Sequence, residues 1–357
     1  MNLRAGAGYG PTMSAHRPLR LRLDGDALVS NWRWLRETGG GAACGAAVKA
    51  DGYGLGAREV VRRLAAAGCR DFFVATGAEA EGISDLLGDA SLSVLHGLFE
   101  EDMPAALASP ARPVLNTPAQ VQRWRNSGRP CDVMIDTGIN RLGLSPQEAG
   151  SGLLDGLQIE TLMSHFACAD EDAAQNERQR RLFEEVSAAV PARRRSLSNS
   201  AGICLGGENA YDVTRPGLAL YGGVPRREAV GHVRQVVRVE ARIVQRRRVE
   251  AGGSVGYNAT FTAAEPCELA ILNIGYADGY LRGFSGTGQA RIGDVMLPVV
   301  GRVSMDLTAI RVDPAPELAE GDWVELDFDL LRASQQSGLS QYELLTTLGS
   351  RYERVWR

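Results

Sequence analysis

The residue of this sequence best suited to covalent chemistry is its single lysine. The chain has 39 basic side chains, and every one except Lys49 is an arginine. A codon bias toward arginine explains the arginines but not the exception, because arginine forms salt bridges as well as lysine does. Only a primary amine can lose its proton near neutral pH and condense with a carbonyl group. The composition therefore predicts a chemical role for Lys49.

Lys49 lies in a glycine-rich segment, residues 48–56, that has the pattern of a strand end, a tight turn and a helix start. Burial and neighbouring positive charge there would lower the pKa of the amine from its ordinary value of about 10.4, as a Schiff-base lysine requires. Backbone N–H groups at the helix start, together with Tyr53, are suited to binding a phosphate.

Eight short apolar runs alternate with helical stretches over the first two thirds of the chain. This alternation predicts a (β/α)8 barrel of the TIM type over roughly residues 19–231, with a further strand-like segment, Leu19–Leu23, at its start. The eight barrel strands are expected at residues 46–48, 72–75, 92–95, 113–115, 133–135, 159–163, 195–197 and 217–220.

In such barrels the chemistry lies at the carboxyl ends of the strands. The residues that follow the apolar runs are largely polar, so we expect their side chains to meet around one end of the barrel. They are Lys49, Thr76, His96, Asn116, Asp136, His165 and Asn199, with Arg215 and Tyr221 on either side of the last run.

The chain divides by texture into three parts. Residues 1–18 lack periodicity and are expected to form a disordered extension, in which Met13 could serve as an alternative start. The barrel domain is predicted for residues 19–233. From residue 234 to 357 the pattern changes to β-branched alternation with glycine turns, which predicts a second, mostly β domain.

Composition excludes several classes of function. Lys+Arg 39 against Asp+Glu 43 gives a net charge of -4 without basic blocks, which argues against a nucleic-acid partner. No apolar run approaches the roughly 18 residues of a membrane span, and the first residues lack a signal-peptide centre, so we expect a cytoplasmic protein with no membrane partner. The six cysteines lack CxxC spacing, which predicts reduced thiols and no metal site.

The segment around Lys49 resembles the pyridoxal-phosphate lysine motif of the alanine racemases. Seven further stretches resemble that family in the same order, and together they cover the chain from about residue 20 to its end. They are DTGINRLG (136–143), SHFA (164–167), SNSA (198–201), RPGLALYG (215–222), VGYNATF (255–261), GYADGY (275–280) and GRVSMD (301–306).

The resemblance implies a racemase that interconverts L-alanine and D-alanine with pyridoxal 5'-phosphate and supplies D-alanine for peptidoglycan. It also implies a head-to-tail homodimer in which each active site borrows residues from the other subunit's β domain. Racemisation needs a base on each face of the reacting carbon. The implied catalytic residues are Lys49 on one face and Tyr257 of the partner subunit on the other.

The resemblance also assigns binding roles residue by residue. Arg215 would face the pyridine nitrogen, and His165 would lie beside the cofactor ring. The implied cofactor-binding set is Lys49, Tyr53, His165, Asn199, Ser200, Arg215, Gly217, Leu218 and Ser350. The implied substrate-binding set is Arg141, Met305, Tyr257 and Tyr280.

Two positions depart from the family pattern. Some members carry a carbamylated lysine two residues before the aspartate of the DTG motif, where this chain has Met134. Water or a bound anion such as chloride would then have to orient Arg141. Ser350 occupies a place where some members use a phosphate-binding tyrosine.

Other functions are weighed against this one. A pyridoxal-phosphate racemase of broader range is an alternative, because serine differs from alanine by one hydroxyl. A non-catalytic pyridoxal-phosphate barrel would lack the second domain, and a related decarboxylase would favour an acidic residue at the position of Arg215. A metal-dependent barrel hydrolase lacks a ligand set, since Asp170, Glu171 and Asp172 are adjacent acids typical of a solvated loop.

Overall fold

The structure, a computed structural model, describes residues 17–357. The expected N-terminal extension, with Met13, lies outside the described residues except for Arg17 and Pro18. These two contact the second domain: the Arg17 guanidinium donates to the Tyr352 carbonyl at 2.9 Å, and the Pro18 carbonyl accepts from the Arg242 amide at 3.2 Å.

The described chain begins with a strand and a long helix, β1 (Leu19–Leu23) and α1 (Gly25–Thr38). The Asp24 side chain caps α1 by accepting from the Ala27 amide at 2.7 Å. One face of the helix buries Leu28, Trp32 and Leu35, because apolar residues at this spacing share one side of a helix.

Eight parallel strands form the first domain. The strands β2 and β3 are separated only by Gly45 and count as one of the eight. Strand β10 pairs with β2 and so completes the ring. Amide hydrogen bonds from Asp212 to Arg195 (3.0 Å) and from Arg215 to Ser198 (2.8 Å) join β10 to β9. The predicted (β/α)8 barrel is thus confirmed. Its strands are β2 (Ala43–Cys44), β3 (Ala46–Ala47), β4 (Asp71–Val74), β5 (Ser91–Val94), β6 (Arg112–Leu115), β7 (Cys131–Met134), β8 (Ile159–Met163), β9 (Arg194–Ser196) and β10 (Val213–Thr214).

The position expected for the last barrel strand is wrong. Leu218–Tyr221, within the run expected at 217–220, is a 3-10 helix, and the strand is β10 instead. Pro216 has no amide hydrogen, and the amides of Gly217 and Ala219 donate to Ser200 Oγ rather than to a neighbouring strand. The run is apolar because it is buried, and burial alone does not distinguish a strand from a helical turn.

Helices of various lengths connect the barrel strands. The two longest of them are α3 and α8. The set is α2 (Lys49–Tyr53), α3 (Ala57–Ala67), α4 (Gly77–Glu81), α5 (Met103–Ala108), α6 (Pro118–Trp124), α7 (Pro146–Ala149), α8 (Ala174–Ala189) and α9 (Ser200–Cys204).

The second domain is mostly antiparallel β structure, as predicted. Its central strand, β11, pairs with β1 and β18 along its first half and with β14 beyond a bulge between Ile243 and Gln245. The strands are β11 (Val237–Val249), β12 (Ser254–Val255), β13 (Phe261–Thr262), β14 (Cys267–Leu272), β15 (Gln289–Ile292), β16 (Val295–Val300), β17 (Thr308–Arg311), β18 (Trp323–Leu326) and β19 (Glu353–Trp356), with helices α10 (Leu330–Ser337) and α11 (Gln341–Thr346) before β19.

The strand β1 forms as predicted but does not belong to the barrel sheet. It lies between β11, to which it is antiparallel, and β19, to which it is parallel. Its leucines are buried while Arg20 and Arg22 reach Glu240 at 3.2 and 3.1 Å. Such strict alternation is typical of a sheet with one solvated face, whereas strands of a parallel barrel are buried on both faces.

Candidate active site

Lys49 is the first residue of α2 and is separated from the buried strand β3 by Val48 alone. The next residues take up a left-handed turn, with φ near 52° at both Ala50 and Asp51. This conformation costs roughly 1–2 kcal/mol for each residue that is not glycine. Two carboxylates offset the strain: Glu79 accepts from the Ala50 amide at 2.8 Å, and Asp51 accepts from the Ala57 amide at 2.8 Å. The turn holds Lys49 at the carboxyl edge of the barrel.

The surroundings of Lys49 favour its neutral form. Burial lowers the pKa of the amine most, and the positive charges of Arg141 and Arg215 lower it further. The carboxylate of Glu79 acts in the opposite direction. A lysine with a lowered pKa is available as a nucleophile and as a base nearer to neutral pH.

Arg215 is 5 % exposed and is held from two sides at the barrel mouth. Its guanidinium donates to Ser196 Oγ and to the carbonyl of Ser164. Burial lowers the pKa of Arg215 to about 10, which leaves it cationic at neutral pH. The site therefore contains a fixed positive charge that can donate hydrogen bonds but not accept them.

His165 stays neutral in this environment. Burial and the charges of Arg215, Arg141 and Lys49 lower its pKa to about 3. Its Nδ1 lies 3.4 Å from Nη2 of Arg215, and a guanidinium can only donate. This contact requires Nδ1 to accept, so the ring proton of the neutral imidazole lies on Nε2.

A group of small and polar residues faces Tyr53 on the other side of the mouth. Ser200 Oγ accepts from the amides of Gly217 (3.0 Å) and Ala219 (3.2 Å), and Asn199 caps α9 through the Gly202 amide at 2.9 Å. A Cβ on Gly217 would lie 2.1 Å from the Tyr53 hydroxyl. Only glycine lets the backbone at 217 approach Tyr53 this closely.

Arg141 lies on a loop built around one carboxylate. Asp136 Oδ1 accepts from the backbone amides of Gly138 (2.8 Å), Ile139 (3.0 Å) and Asn140 (3.1 Å). Its Oδ2 accepts from the backbone amide of Arg141 at 3.1 Å. The loop presents the exposed Arg141 side chain close enough to lower the pKa values of Lys49 and His165. Met134 precedes this loop and is buried at the end of β7.

The chain does not bring every predicted site residue together. Tyr257 and Met305 lie in the second domain and are 67 % and 52 % exposed. Among residues 17–357, no hydrogen bond links either side chain to Lys49, His165 or Arg215. Both side chains are thus largely exposed on the second domain.

The structure does not favour the prediction that Tyr280 contacts substrate. Its ring is 1 % exposed and stacks on Phe284 with centroids 4.3 Å apart. A side chain enclosed in its own domain has no surface to offer a ligand. Tyr276, at the start of the same motif, is partly exposed, and its amide donates to the carbonyl of Ser304, next to Met305, at 3.0 Å. The motif was recognised, but the choice between its two tyrosines depended on packing.

Ser350 is exposed, and a different residue near the C-terminus approaches Tyr53. The ring of Tyr342, in α11, lies 6.3 Å from that of Tyr53. Gln341 fixes α11 by bonding the Val224 amide (2.8 Å) and carbonyl (2.9 Å). No local sequence pattern indicates Tyr342, because the contact joins opposite ends of the chain.

Comparison with known proteins agrees with this geometry. Family models of the alanine racemase N-terminal and C-terminal domains match residues 23–225 and 236–356. The chain belongs to the alanine racemase family. The resemblance noted from the sequence motifs is therefore confirmed.

Individual members of the family are similar over nearly the whole chain. An alanine racemase of Methylobacterium nodulans is 43 % identical, covering 96 % of this chain and 97 % of that protein. A crystal structure of the Bartonella henselae alanine racemase with covalently bound pyridoxal phosphate superposes with a TM-score of 0.89 at 33 % identity, covering 95 % of this chain and 99 % of that one. The biosynthetic alanine racemase of Pseudomonas aeruginosa gives 0.88 at 31 %, covering 96 % and 100 %.

The residues at the barrel mouth fit pyridoxal phosphate. The cofactor carries an aldehyde, a ring nitrogen and a phosphate, and the site offers an amine of lowered pKa, a buried guanidinium and a glycine-lined approach beside the Tyr53 hydroxyl.

Within residues 17–357 no group of His, Cys, Asp and Glu could hold a metal ion, and no helix is long and apolar enough to cross a membrane. Asp172, in the acidic loop, bonds to Arg226 and Arg227.

Proposed function

We propose that this protein is a pyridoxal-phosphate-dependent alanine racemase with a two-base mechanism. The observation that carries the proposal is the placement of the only lysine at the barrel mouth, where burial and two arginines lower its pKa. The cofactor, bound through Lys49, supplies an electron-withdrawing ring that acidifies the α-hydrogen of the bound amino acid. The residues of the chain have to bind, orient and move protons.

Lys49 would act as the base on one face of the reacting carbon. Tyr257 of the partner subunit serves the other face. The 67 % exposure of Tyr257 on the second domain supports this role, because a tyrosine that completes a site in another subunit must be free of its own. The same holds for Met305. We propose a head-to-tail homodimer, which would bring both residues to the other subunit's site.

Arg215 keeps the ring a moderate electron sink. A cation that stays protonated donates a hydrogen bond to the ring nitrogen without transferring a proton. Less charge is then delocalised into the ring than with an acidic partner, which limits transamination. Neutral His165 would lie beside the ring and add no second charge.

The remaining roles follow from position. Arg141 orients the substrate carboxylate with Met305 and, in place of Tyr280, Tyr276 of the partner subunit. We propose that Tyr53, Asn199, Ser200, Gly217 and Leu218 line the phosphate end together with Tyr342, whose ring lies near that of Tyr53. The predicted Ser350 is exposed.

The substrate we propose is alanine, with serine as the nearest competitor. D-alanine supply for peptidoglycan in the cytoplasm is the proposed biological role. The free state of all six cysteines in the described chain supports a reducing compartment.

Reduction of the purified protein with borohydride tests the proposal. We expect the yellow absorbance of the bound cofactor to disappear and the cofactor mass to remain on the peptide that contains Lys49. Lys49→Arg should lose that absorbance and at least about 100-fold in alanine racemisation, since a general base alone contributes that much. A colourless wild type, or turnover that survives Lys49→Arg, would overturn the proposal.

A further inference from the structure

Three helices of the barrel carry a side chain that ties together two neighbouring loops at the carboxyl edge. Each of these residues, here called rim clamps, lies on the helix after the second strand of a pair. Each hydrogen-bonds to the end of its own strand and to the end of the strand before it. The rim clamps are Glu79 on α4, Gln120 on α6 and Gln179 on α8.

Gln179 joins the loops after β7 and β8. It is 0 % exposed, and its amide is fully used. Nε2 donates to Thr137 Oγ1 at 3.2 Å and to the His165 carbonyl at 2.9 Å, while Oε1 accepts from the Ala167 amide at 2.8 Å. Because a buried amide left without partners is costly, this side chain fixes the separation of the two loops.

The contacts of Gln179 lead directly to groups of the proposed site. Thr137 Oγ1 lies 2.7 Å from Ser164 Oγ, and the carbonyl of Ser164 accepts from Arg215. His165, whose carbonyl Gln179 binds, contacts the same guanidinium through its ring. The loop of Thr137 continues into Arg141. The side-chain amide of Gln179 thus binds the loops that position Arg215, His165 and Arg141.

Gln120 makes the same connection in a part of the rim without site residues. Its Oε1 accepts from the Asn116 amide at 2.7 Å and its Nε2 donates to the His96 carbonyl at 3.0 Å. Asn116 and His96 follow the carboxyl ends of β6 and β5. Gln120 is 9 % exposed, so its loss should disturb folding in a comparable way.

Glu79 is the rim clamp of β3 and β4. Its carboxylate accepts from the Ala50 amide at 2.8 Å and from the Ala75 amide at 2.7 Å. The repetition of one device on three alternate helices shows that clamping is a property of the barrel rim. A rim clamp can affect catalysis only where the two loops that it joins contain residues of the proposed site.

We propose that Gln179 is a positioning residue of the cofactor and substrate site, acting through the Thr137–Ser164 hydroxyl pair and the His165 backbone on Arg215, His165 and Arg141. The inference rests on the proposed function. An apolar side chain of equal length could not replace Gln179, because it would leave the His165 carbonyl and the Ala167 amide without hydrogen-bond partners.

Full-length Gln179→Met, compared with the matched control Gln120→Met, tests this role. We expect both to lower the midpoint of thermal unfolding by similar amounts. Only Gln179→Met should weaken pyridoxal-phosphate binding, measured by titration of the cofactor-free protein, and raise KM for L-alanine, each by about tenfold, as loss of a supporting hydrogen-bond shell typically does. Cofactor affinity and KM separate positioning from loss of stability.

Thr137→Val provides a second variant if Gln179→Met does not fold. It removes only the hydroxyl that links Gln179 to Ser164, and a smaller loss of cofactor affinity in the same direction is expected. Wild-type affinity and KM in either folded variant, or equal changes in Gln120→Met, would contradict the positioning role. A wild type that neither binds the cofactor nor racemises alanine would contradict the proposed function instead.

Discussion

At Lys49, burial and two guanidinium groups act on the amine in one direction, and the Glu79 carboxylate opposes them. Glu79 therefore sets how far the pKa of Lys49 falls. Its removal as a charge, in Glu79→Gln, should lower the pKa of Lys49 further, because the remaining neighbours all disfavour the ammonium form.

Chemical modification measures this pKa directly, because Lys49 is the only lysine. In cofactor-free protein, the rate at which an amine reagent modifies Lys49 should reach half its maximum at a lower pH in Glu79→Gln than in wild type. Glu81→Gln, an exposed change on the same helix, is the control. An unchanged or higher titration point would refute the electrostatic role.

His165 makes the cofactor-free chain sensitive to acid. The unfolded imidazole binds a proton below about pH 6.5, whereas the folded one has a pKa of about 3. Below pH 6.5 the unfolded state therefore binds more protons, so stability is full above that pH and falls as the pH drops toward 3. His165→Gln should reduce this slope by up to about 1.4 kcal/mol per pH unit.

Urea unfolding between pH 4 and 7 checks the slope. The exposed His96, in His96→Gln, controls for loss of an imidazole. If His165→Gln kept the wild-type pH dependence, another group would be responsible for it.

Among the elements, the turn at Gly217 allows a sharp test of the proposed phosphate end. Gly217→Ala places a methyl group where the Tyr53 hydroxyl lies, 2.1 Å away, so Tyr53 has to move. We expect cofactor affinity to fall by about tenfold or more, since a displacement of about 1 Å at a binding group has effects of this order.

Gly77→Ala is the matched control, because a Cβ there meets no atom within 4 Å. Titration with pyridoxal phosphate compares the two variants. Equal affinities would show that the close approach of Gly217 to Tyr53 does not shape the cofactor site.

The elements also show what a sequence can predict. Lys49, His165 and Arg215 were found because their motifs coincide with strand ends, a local signal. Tyr342 and the clamp Gln179 could not be found, because their roles depend on contacts between segments far apart in the chain. The burial of Tyr280 could not be predicted for the same reason, since its pattern carries no sign of the Phe284 ring that stacks on it. The register of β1 likewise depended on a distant partner.

At the scale of the whole molecule, the outward position of Tyr257 predicts complementation between two inactive variants. Lys49→Ala retains Tyr257, and Tyr257→Ala retains Lys49. In a mixed dimer, one site combines the intact residues of both chains. Unfolding and refolding an equal mixture should restore about a quarter of wild-type activity, because about half of the dimers are mixed and each has one intact site.

The recovered activity is measured as the rate at which the refolded mixture racemises L-alanine. Each variant refolded alone is the control and should remain inactive. No recovery in a mixture shown to contain mixed dimers would mean that Lys49 and Tyr257 act within one chain or not together.

The pairing of β1 also bears on how the protein is made. Leu19 pairs with Ala241 and Arg20 with Glu353, so β1, the first strand of the described residues, can pair only after segments far along the chain have been synthesised. Strand β1 therefore stays unpaired during most of synthesis, and contacts this distant slow the search for the native state. A chaperone would meet a nascent chain whose strand β1 has no partner until β11 of the second domain has been made.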